Sequence, residues 1–294
     1  MDHCAKKETY PVLNPSNIII SEEELQTILS NFGINIPIKN IDLWRRVFIH
    51  KSYCKNVKKN NYINEYVLYP DNVDKTTLIP LQDDSNESLE WLGDSILQSV
   101  VGSYLWIRFP KQNEGFYTKL RSKLVKTESL SKLAKHLNLG KYILMSQYVE
   151  HMCNGRNNAK ILEDTYEAFI GALVEDFGLD SSCNGYNYCY KFCINCIEEV
   201  IDMPELILKD DNYKDKLMRY FQKIYDGKFP KYNEDIVKME ENMKNANNRL
   251  FFIYINDPIT KKKIGEGFGK SKRSAEQNAA KYALLYFGIS DNFK

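Results

Sequence analysis

Long hydrophobic runs are missing from this sequence. The longest stretch without a charged side chain, residues 95–107, is 13 residues, well short of the roughly 20 apolar residues that span a bilayer, so no membrane crossing is expected. The first eight residues lack the apolar core of a secretory leader, which points to a cytoplasmic, reducing setting. Seven cysteines, an odd count, argue against a disulfide framework. Net charge is also nearly absent, at +1 over 294 residues, but this hides an asymmetry. Residues 209–294 hold 18 Lys+Arg against 12 Asp+Glu, a net +6, and the remainder holds 22 against 27, a net −5. A basic module on an acidic body suggests a polyanion held by one part and a metal, or acid-base chemistry, in the other.

What is present is an ordinary folded composition, 43% hydrophobic and 27% charged, in a chain long enough for two domains. Ser21-Glu22-Glu23-Glu24 forms a capping box ahead of Leu25, Ile28, Leu29 and Phe32, so a helix is expected there. Residues 1–20 read as an N-terminal tail. Helical periodicity recurs over 42–53, 87–109, 116–125, 129–139, 161–177 and 186–200, with Gly140 suited to cap the helix ending at Leu139. Residues 55–85, rich in Asn, Lys, Asp and Tyr and broken by Pro70 and Pro80, read as an inserted loop. The expectation is an all-α domain over 21–202, a linker over 203–211, and a small α+β domain over 212–288. In the latter, a helix at 213–225, strands at 232–239, 249–256 and 263–268, and a helix at 274–287 follow in α-β-β-β-α order.

Glu87, Glu90 and Asp94 stand at i, i+3 and i+7, within about 60° of arc on one helix face. A solvated acidic face is the bland explanation. It is weakened because no charge recurs until Arg108 while Val101 and Leu105 continue the stripe, and a helix apolar all round is buried. Asp164 and Glu167 form a second pair at i, i+3, with Gly171 one turn later. Two largely buried helices with carboxylate stripes cannot hide that charge alone, since uncompensated buried carboxylates cost several kcal/mol each. A divalent cation is the simplest compensation, and all-oxygen ligands favour Mg²⁺ or Mn²⁺ over zinc. Gly93, Gly171 and Ala172 would let the helices approach closely.

Asn86-Glu87-Ser88-Leu89-Glu90-Trp91-Leu92-Gly93-Asp94-Ser95 resembles the signature of the ribonuclease III family, and residues 162–172 resemble its second acidic block. His50-Lys51-Ser52-Tyr53 and residues 114–121 match two further blocks in order, and the resemblance spans roughly 40–288. It implies an all-α ribonuclease III endonuclease domain followed by a double-stranded RNA-binding domain. By this resemblance Glu90, Asp94, Asp164 and Glu167 are the metal ligands, and Glu87 and Glu114 are accessory catalytic acids. Metal-activated water would then cut double-stranded RNA to staggered 5′-phosphate and 3′-hydroxyl ends. The same resemblance makes Trp91 a homodimer contact: it sits beside the carboxylates and away from its helix's apolar arc, and the family's aromatic there inserts into the second subunit. Ser88 replaces a usual basic residue and Trp91 a Phe.

Residues 270–273 put Lys270, Lys272 and Arg273 at the start of the last helix, where cations oppose the helix dipole unless phosphates meet that end. The segment resembles the last helix of double-stranded RNA-binding domains, which makes these three the RNA contacts. The loop at 243–248 and the first helix, with Leu217-Met218-Arg219, depart from that pattern. Gly265 to Ser271 imitates a phosphate-binding loop, but Ile264 stands where the first glycine is required, so no nucleotide cofactor is expected. Cys183, Cys189, Cys193 and Cys196 lack a zinc spacing and read as core, and His50 reads as structural. The alternatives are a non-catalytic protein that sequesters duplex RNA and a ribosome-associated relative without chemistry. Retention of all four matching ligands argues against both.

Overall fold

The computed structural model describes residues 10–55, 70, 73–178, 184–208, 212–236, 238–239 and 250–289. The chain divides into two compact units, Met1–Leu206 and Ile207–Lys294. Among the described residues no helix is long and apolar enough to cross a membrane.

The first unit is helical: α1 (Glu22–Asn31), α2 (Ile41–Val47), α3 (Glu87–Arg108), α4 (Glu114–Leu124), α5 (Thr127–His136), α6 (Gln147–Met152), α7 (Ala159–Phe177), α8 (Asn184–Val200) and α9 (Met203–Leu208). Helix α1 starts with the expected capping box: Ser21 Oγ accepts from Glu24 N–H at 3.1 Å, and Glu24 Oε2 accepts from Ser21 N–H at 3.1 Å. Helix α7 is the hub, packed by α2, α3, α5 and α8. Its Leu162, Phe169, Ile170 and Leu173 are fully buried, each stabilising the fold by roughly 1.5–3 kcal/mol. Cys189, Cys193 and Cys196 are fully buried on α8, as core residues; Cys183 lies outside the described residues.

Several expectations change. The stretch read as a tail is a strap over residues 12–20: Val12, Leu13 and Ile20 are buried, and the Nδ2 groups of Asn14 and Asn17 both donate to Met145 O at 3.1 Å. Such a strap has no period to betray it, because its polar backbone is satisfied by distant residues. The helix expected over 42–53 stops at Val47. The chain then runs extended, with His50 N–H donating to Leu144 O at 3.0 Å, before a single 3₁₀ turn, Lys51–Tyr53. Residues 56–69 and 71–72 of the insertion lie outside the described residues. Its end packs inward, however, with Leu78, Ile79 and Leu81 against Tyr53, Cys54 and Leu144. Helix α5 ends at His136, and Asn138, at φ +55°, makes the left-handed turn assigned to Gly140. Gly140 instead lies where a Cβ would come 2.5 Å from Arg156 O. Helix α6, at six residues, is too short to show a period. The linker expected over 203–211 begins as α9, whose Met203 is buried in the first unit's core.

The second unit contains α10 (Tyr213–Ile224), β1 (Tyr232–Glu234), β2 (Phe251–Asn256), β3 (Lys263–Gly269) and α11 (Lys272–Tyr286), with an antiparallel sheet in the order β1-β2-β3. Strand β1 is shorter than expected because Asp235 Oδ1 accepts from Lys238 N–H at 3.3 Å and turns the chain into a helical conformation. Both helices cover one face of the sheet through Leu217, Phe221, Ile253, Ile255, Ala275, Ala279, Ala280, Ala283 and Leu284. The 243–248 loop lies outside the described residues.

Candidate functional site

Asn86, buried at the head of α3, donates from Nδ2 to Val47 O at 3.0 Å and so anchors the first turn of that helix. Asn158 caps α7, accepting from Lys160 N–H at 3.0 Å and Ile161 N–H at 3.4 Å. The two helices then meet backbone to backbone. A Cβ on Gly93 would stand 1.7 Å from Glu167 O, and one on Gly171 would stand 2.2 Å from Leu89 O. Any larger residue at either position would separate the helices, and with them the acids one turn away.

Carboxylate oxygens of Glu90, Asp164 and Glu167 lie within 4.8 Å of one another. Asp94, the fourth expected ligand, stands outside this group with Oδ1 accepting from Gln98 Nε2 at 3.2 Å. Its charge still reaches the site. Burial first, then Asp94 and Glu163, push the Glu167 carboxyl up to about 8. Burial, then Asp164, also raises that of Glu90.

The sequence reading passed over Lys160 and Glu163. Lys160 Nζ lies 2.8 Å from Asp164 Oδ1 and 3.2 Å from Glu163 Oε2, yet neither buried oxygen receives a well-aligned hydrogen bond. Against the downward pull of partial burial, these two carboxylates raise the lysine's pKa. One lysine therefore serves two acids while Glu90 and Glu167 have no cation of their own within ion-pair distance among the described residues. A compact, oxygen-only, under-compensated group of this kind fits a hard divalent cation. The i−4 spacing of Lys160 from Asp164 was readable in the sequence.

Glu87 is exposed at the rim, held by Lys51 Nζ at 3.3 Å and Ser85 Oγ at 3.1 Å. The Arg46 guanidinium bonds Ser88 Oγ, so a cation stands beside the serine that replaces the family's basic residue. His50 lies near by; its Nδ1 accepts from Ser52 N–H at 3.2 Å, capping the 3₁₀ turn, and burial, then Lys51, lower its pKa to about 4. Glu114 is not with the other acids. It accepts from Thr118 Oγ1 at 2.9 Å and lines a cleft of about 280 Å³ with Leu105, Trp106 and Arg121. From Glu90 to Leu105 α3 rises about 22 Å. Trp91, one residue from Glu90, is 74% exposed.

In the second unit Lys270, Lys272 and Arg273 are all exposed where β3 passes into α11, whose Ser271 cap accepts from Ser274 N–H at 3.2 Å. Lys272 is paired with Glu234 at 2.6 Å, whereas Lys270 and Arg273 are in no ion pair among the described residues. The glycines that imitate a nucleotide loop have a packing role. Gly265, Gly267 and Gly269 face α11, where a Cβ would come 2.4 Å from Ala279 O, 2.2 Å from Ala279 N and 2.8 Å from Ser274 Oγ.

A helical unit bearing a desolvated carboxylate centre, followed by an α-β-β-β-α unit with exposed cations, defines a metal-dependent nuclease joined to a nucleic-acid-binding module. The Ribonuclease III domain family matches residues 87–178, and the Double-stranded RNA binding motif family matches residues 213–286. Ribonuclease 3 of Aliarcobacter butzleri is 35% identical over 200 residues, covering 68% of this chain and 82% of that protein. Probable ribonuclease 3 of Acanthamoeba polyphaga mimivirus is 30% identical over 280 residues, covering 94% of this chain. The chain spans about half, 47%, of that longer relative. The solved nuclease domain of ribonuclease III from Campylobacter jejuni is 31% identical, covers 62% of this chain and all of its own, and superposes with a TM-score of 0.46. The chain belongs to the ribonuclease III family of endoribonucleases, with its double-stranded RNA-binding motif after the nuclease domain.

Proposed function

We propose that this protein cleaves double-stranded RNA at a Mg²⁺ centre, with Mn²⁺ able to substitute, held by Glu90, Asp94, Asp164 and Glu167. The observation that carries this is the trio of carboxylates within 4.8 Å, one of them pushed up to about 8. A divalent cation held by these residues would supply Lewis-acid stabilisation of the phosphodiester and lower the pKa of a water near it. The chain's own groups prepare for that charge. Glu167, whose carboxyl burial pushes up to about 8, would release its proton on binding a cation. Gln98 fixes Asp94 at the edge of the site, and Lys160 stays near Asp164 and Glu163, adding positive charge where a phosphate would arrive. Glu87 acts as an accessory acid at the rim. Water adds to phosphorus and gives up a proton while the P–O3′ bond breaks and the 3′ oxygen takes one up, so the products carry 5′-phosphate and 3′-hydroxyl ends.

The working form in this proposal is a homodimer in the cytoplasm. Leaving Trp91 in water would forfeit roughly 2–3 kcal/mol of burial, and the cleft at the far end of the same helix offers it an aromatic wall in Trp106. A two-fold axis that seats each Trp91 in the other subunit's cleft buries both rings. It also carries the partner's Glu114 towards this subunit's Glu90, which gives the remote acid a role. Two sites across one duplex then cut one strand each, leaving staggered ends. Lys270, Lys272 and Arg273 hold the duplex through its phosphates.

Cleavage of a duplex RNA in Mg²⁺ against EDTA, by the wild type and by Glu167→Gln, tests the centre. The variant is expected to lose on the order of 10³-fold in rate while binding duplex as before. Near-normal turnover would reject the assignment.

A further inference from the structure

The second unit carries a basic cavity at the end opposite the α11 N-terminus. It has a volume of about 570 Å³ and lies between the C-terminal end of α10, the segment entering β1, and the turn that joins β2 to β3. Lys228 and Lys231, from the segment entering β1, and Lys261, from the turn, line it. None of the three is in an ion pair among the described residues. Asp257, the acid in the wall, is already engaged: it accepts from Ile259 N–H at 2.8 Å, Thr260 N–H at 2.7 Å and the Tyr225 hydroxyl. Lys261 stands at φ +60°, a left-handed position where glycine sits without strain. Phe229, 61% exposed, lines the same cavity, and the buried Phe221 contributes to its wall.

These features suit one chemistry. Three ammonium groups outside any ion pair among the described residues match phosphate, Lys261 Nζ donating only to Pro258 O at 2.9 Å, and an exposed aromatic face beside them matches a planar base. A paired base cannot use Phe229, because its faces are covered by its neighbours in the duplex stack, whereas an unpaired nucleotide offers base and phosphate together. Strand β3, seven residues long, spans about 20 Å from the turn that bears Lys261 to the residue before Lys270, and Phe229 also lines a neighbouring pocket with Arg273. A single RNA can thus lie as a duplex at one end and run on as a single strand to the other.

We propose that this cavity binds unpaired nucleotides adjoining the duplex, and so gives the domain a preference for duplexes with single-stranded extensions. The inference rests on the reading of Lys270, Lys272 and Arg273 as the duplex anchor.

The test uses the full chain in EDTA, where no cleavage occurs, and measures anisotropy with a blunt RNA duplex and with the same duplex carrying a short oligouridylate extension. The wild type is expected to bind the extended RNA about fivefold or more tightly than the blunt one, the size of one stacked base. Phe229→Ala, and separately Lys228→Gln with Lys231→Gln and Lys261→Gly, are expected to remove that gain while circular dichroism and blunt-duplex affinity stay near wild type. Equal affinity of the wild type for both RNAs, or a gain that survives in both variants, would overturn the proposal. A gain displaced by polyglutamate as readily as by free oligouridylate would assign the cavity to an acidic peptide and overturn it too. Failure of the wild type to bind even the blunt duplex would instead overturn the anchor, and is distinguishable on that ground.

Discussion

Both units of this protein are built around a glycine-mediated close contact, and the two contacts do opposite things with charge. In the nuclease unit Gly93 and Gly171 bring α3 and α7 together so that Glu90, Asp164 and Glu167 share one desolvated space, where burial raises two of the three carboxyls. In the RNA-binding unit Gly265, Gly267 and Gly269 seat α11 on the sheet and leave Lys270, Lys272 and Arg273 exposed beyond its end. Burial turns a cluster of like charges into a cation trap, because each acid raises the cost of ionising the next. Exposure keeps like charges apart in water, where they attract a polyanion and are screened by salt. In the proposed function, one kind of backbone contact would thus serve chemistry in one unit and affinity in the other.

The largest expected effect comes from breaking either contact alone. Gly93→Ala drives a methyl into the Glu167 carbonyl, a clash costing about 1–3 kcal/mol or more, and is expected to lower the melting temperature and abolish cleavage. Gly267→Ala makes the same kind of clash in the other unit. It is expected to weaken duplex binding while cleavage at low salt persists. Equal loss of low-salt cleavage in both variants would show that the units do not divide the work in this way.

Next in size is Trp91→Asp. The expected product is a monomer in sedimentation that at most nicks duplex RNA, because paired cuts need two centres. A stable dimer still making paired cuts would remove Trp91 from the interface.

The buried charge predicts a pH dependence that the exposed charges cannot produce. Glu167 is raised from 4.5 to about 8, so without a cation the folded chain holds a proton that the unfolded chain has released between those values. The associated stability is fully present below pH 4.5 and lost as pH rises through about 8. Mn²⁺ affinity moves the other way, rising by up to about tenfold per pH unit until pH 8 as one proton is displaced. Thermal melts and Mn²⁺ titration across pH 5–9 should show both trends, and Glu167→Gln should flatten them. A flat wild-type profile would mean that the site is more hydrated than its burial implies.

The smallest effects belong to single exposed cations. Arg273→Ala and Lys270→Ala should each lower the slope of log affinity against log salt by about 0.9, one phosphate contact. Lys272→Ala should lower it less, because Glu234 already neutralises part of that charge. Filter binding over a salt series would rank the three, and a dominant Lys272 would contradict the ion pair.

Much of this arrangement was readable from the sequence alone. The acids at i, i+3 and i+7, the second pair on another uncharged helix and the small residues facing them are local patterns, and a helix converts such spacing into a shared face without outside help. The α-β-β-β-α order and the basic start of α11 were legible for the same reason. Tertiary structure decided what depended on distant residues. The strap over residues 12–20 is held by Met145, and Ile49 leaves the helical path to pair with Leu144. Asp94 accepts from Gln98 beside the acidic trio, Lys160 is shared between Glu163 and Asp164, and Glu114 lines a cleft about 22 Å along α3 from Glu90. Periodicity assigns each side chain to a face of its own element. Desolvation, proton affinity and the choice between competing partners are set by what another element brings to that face, and no spacing within a single segment encodes it.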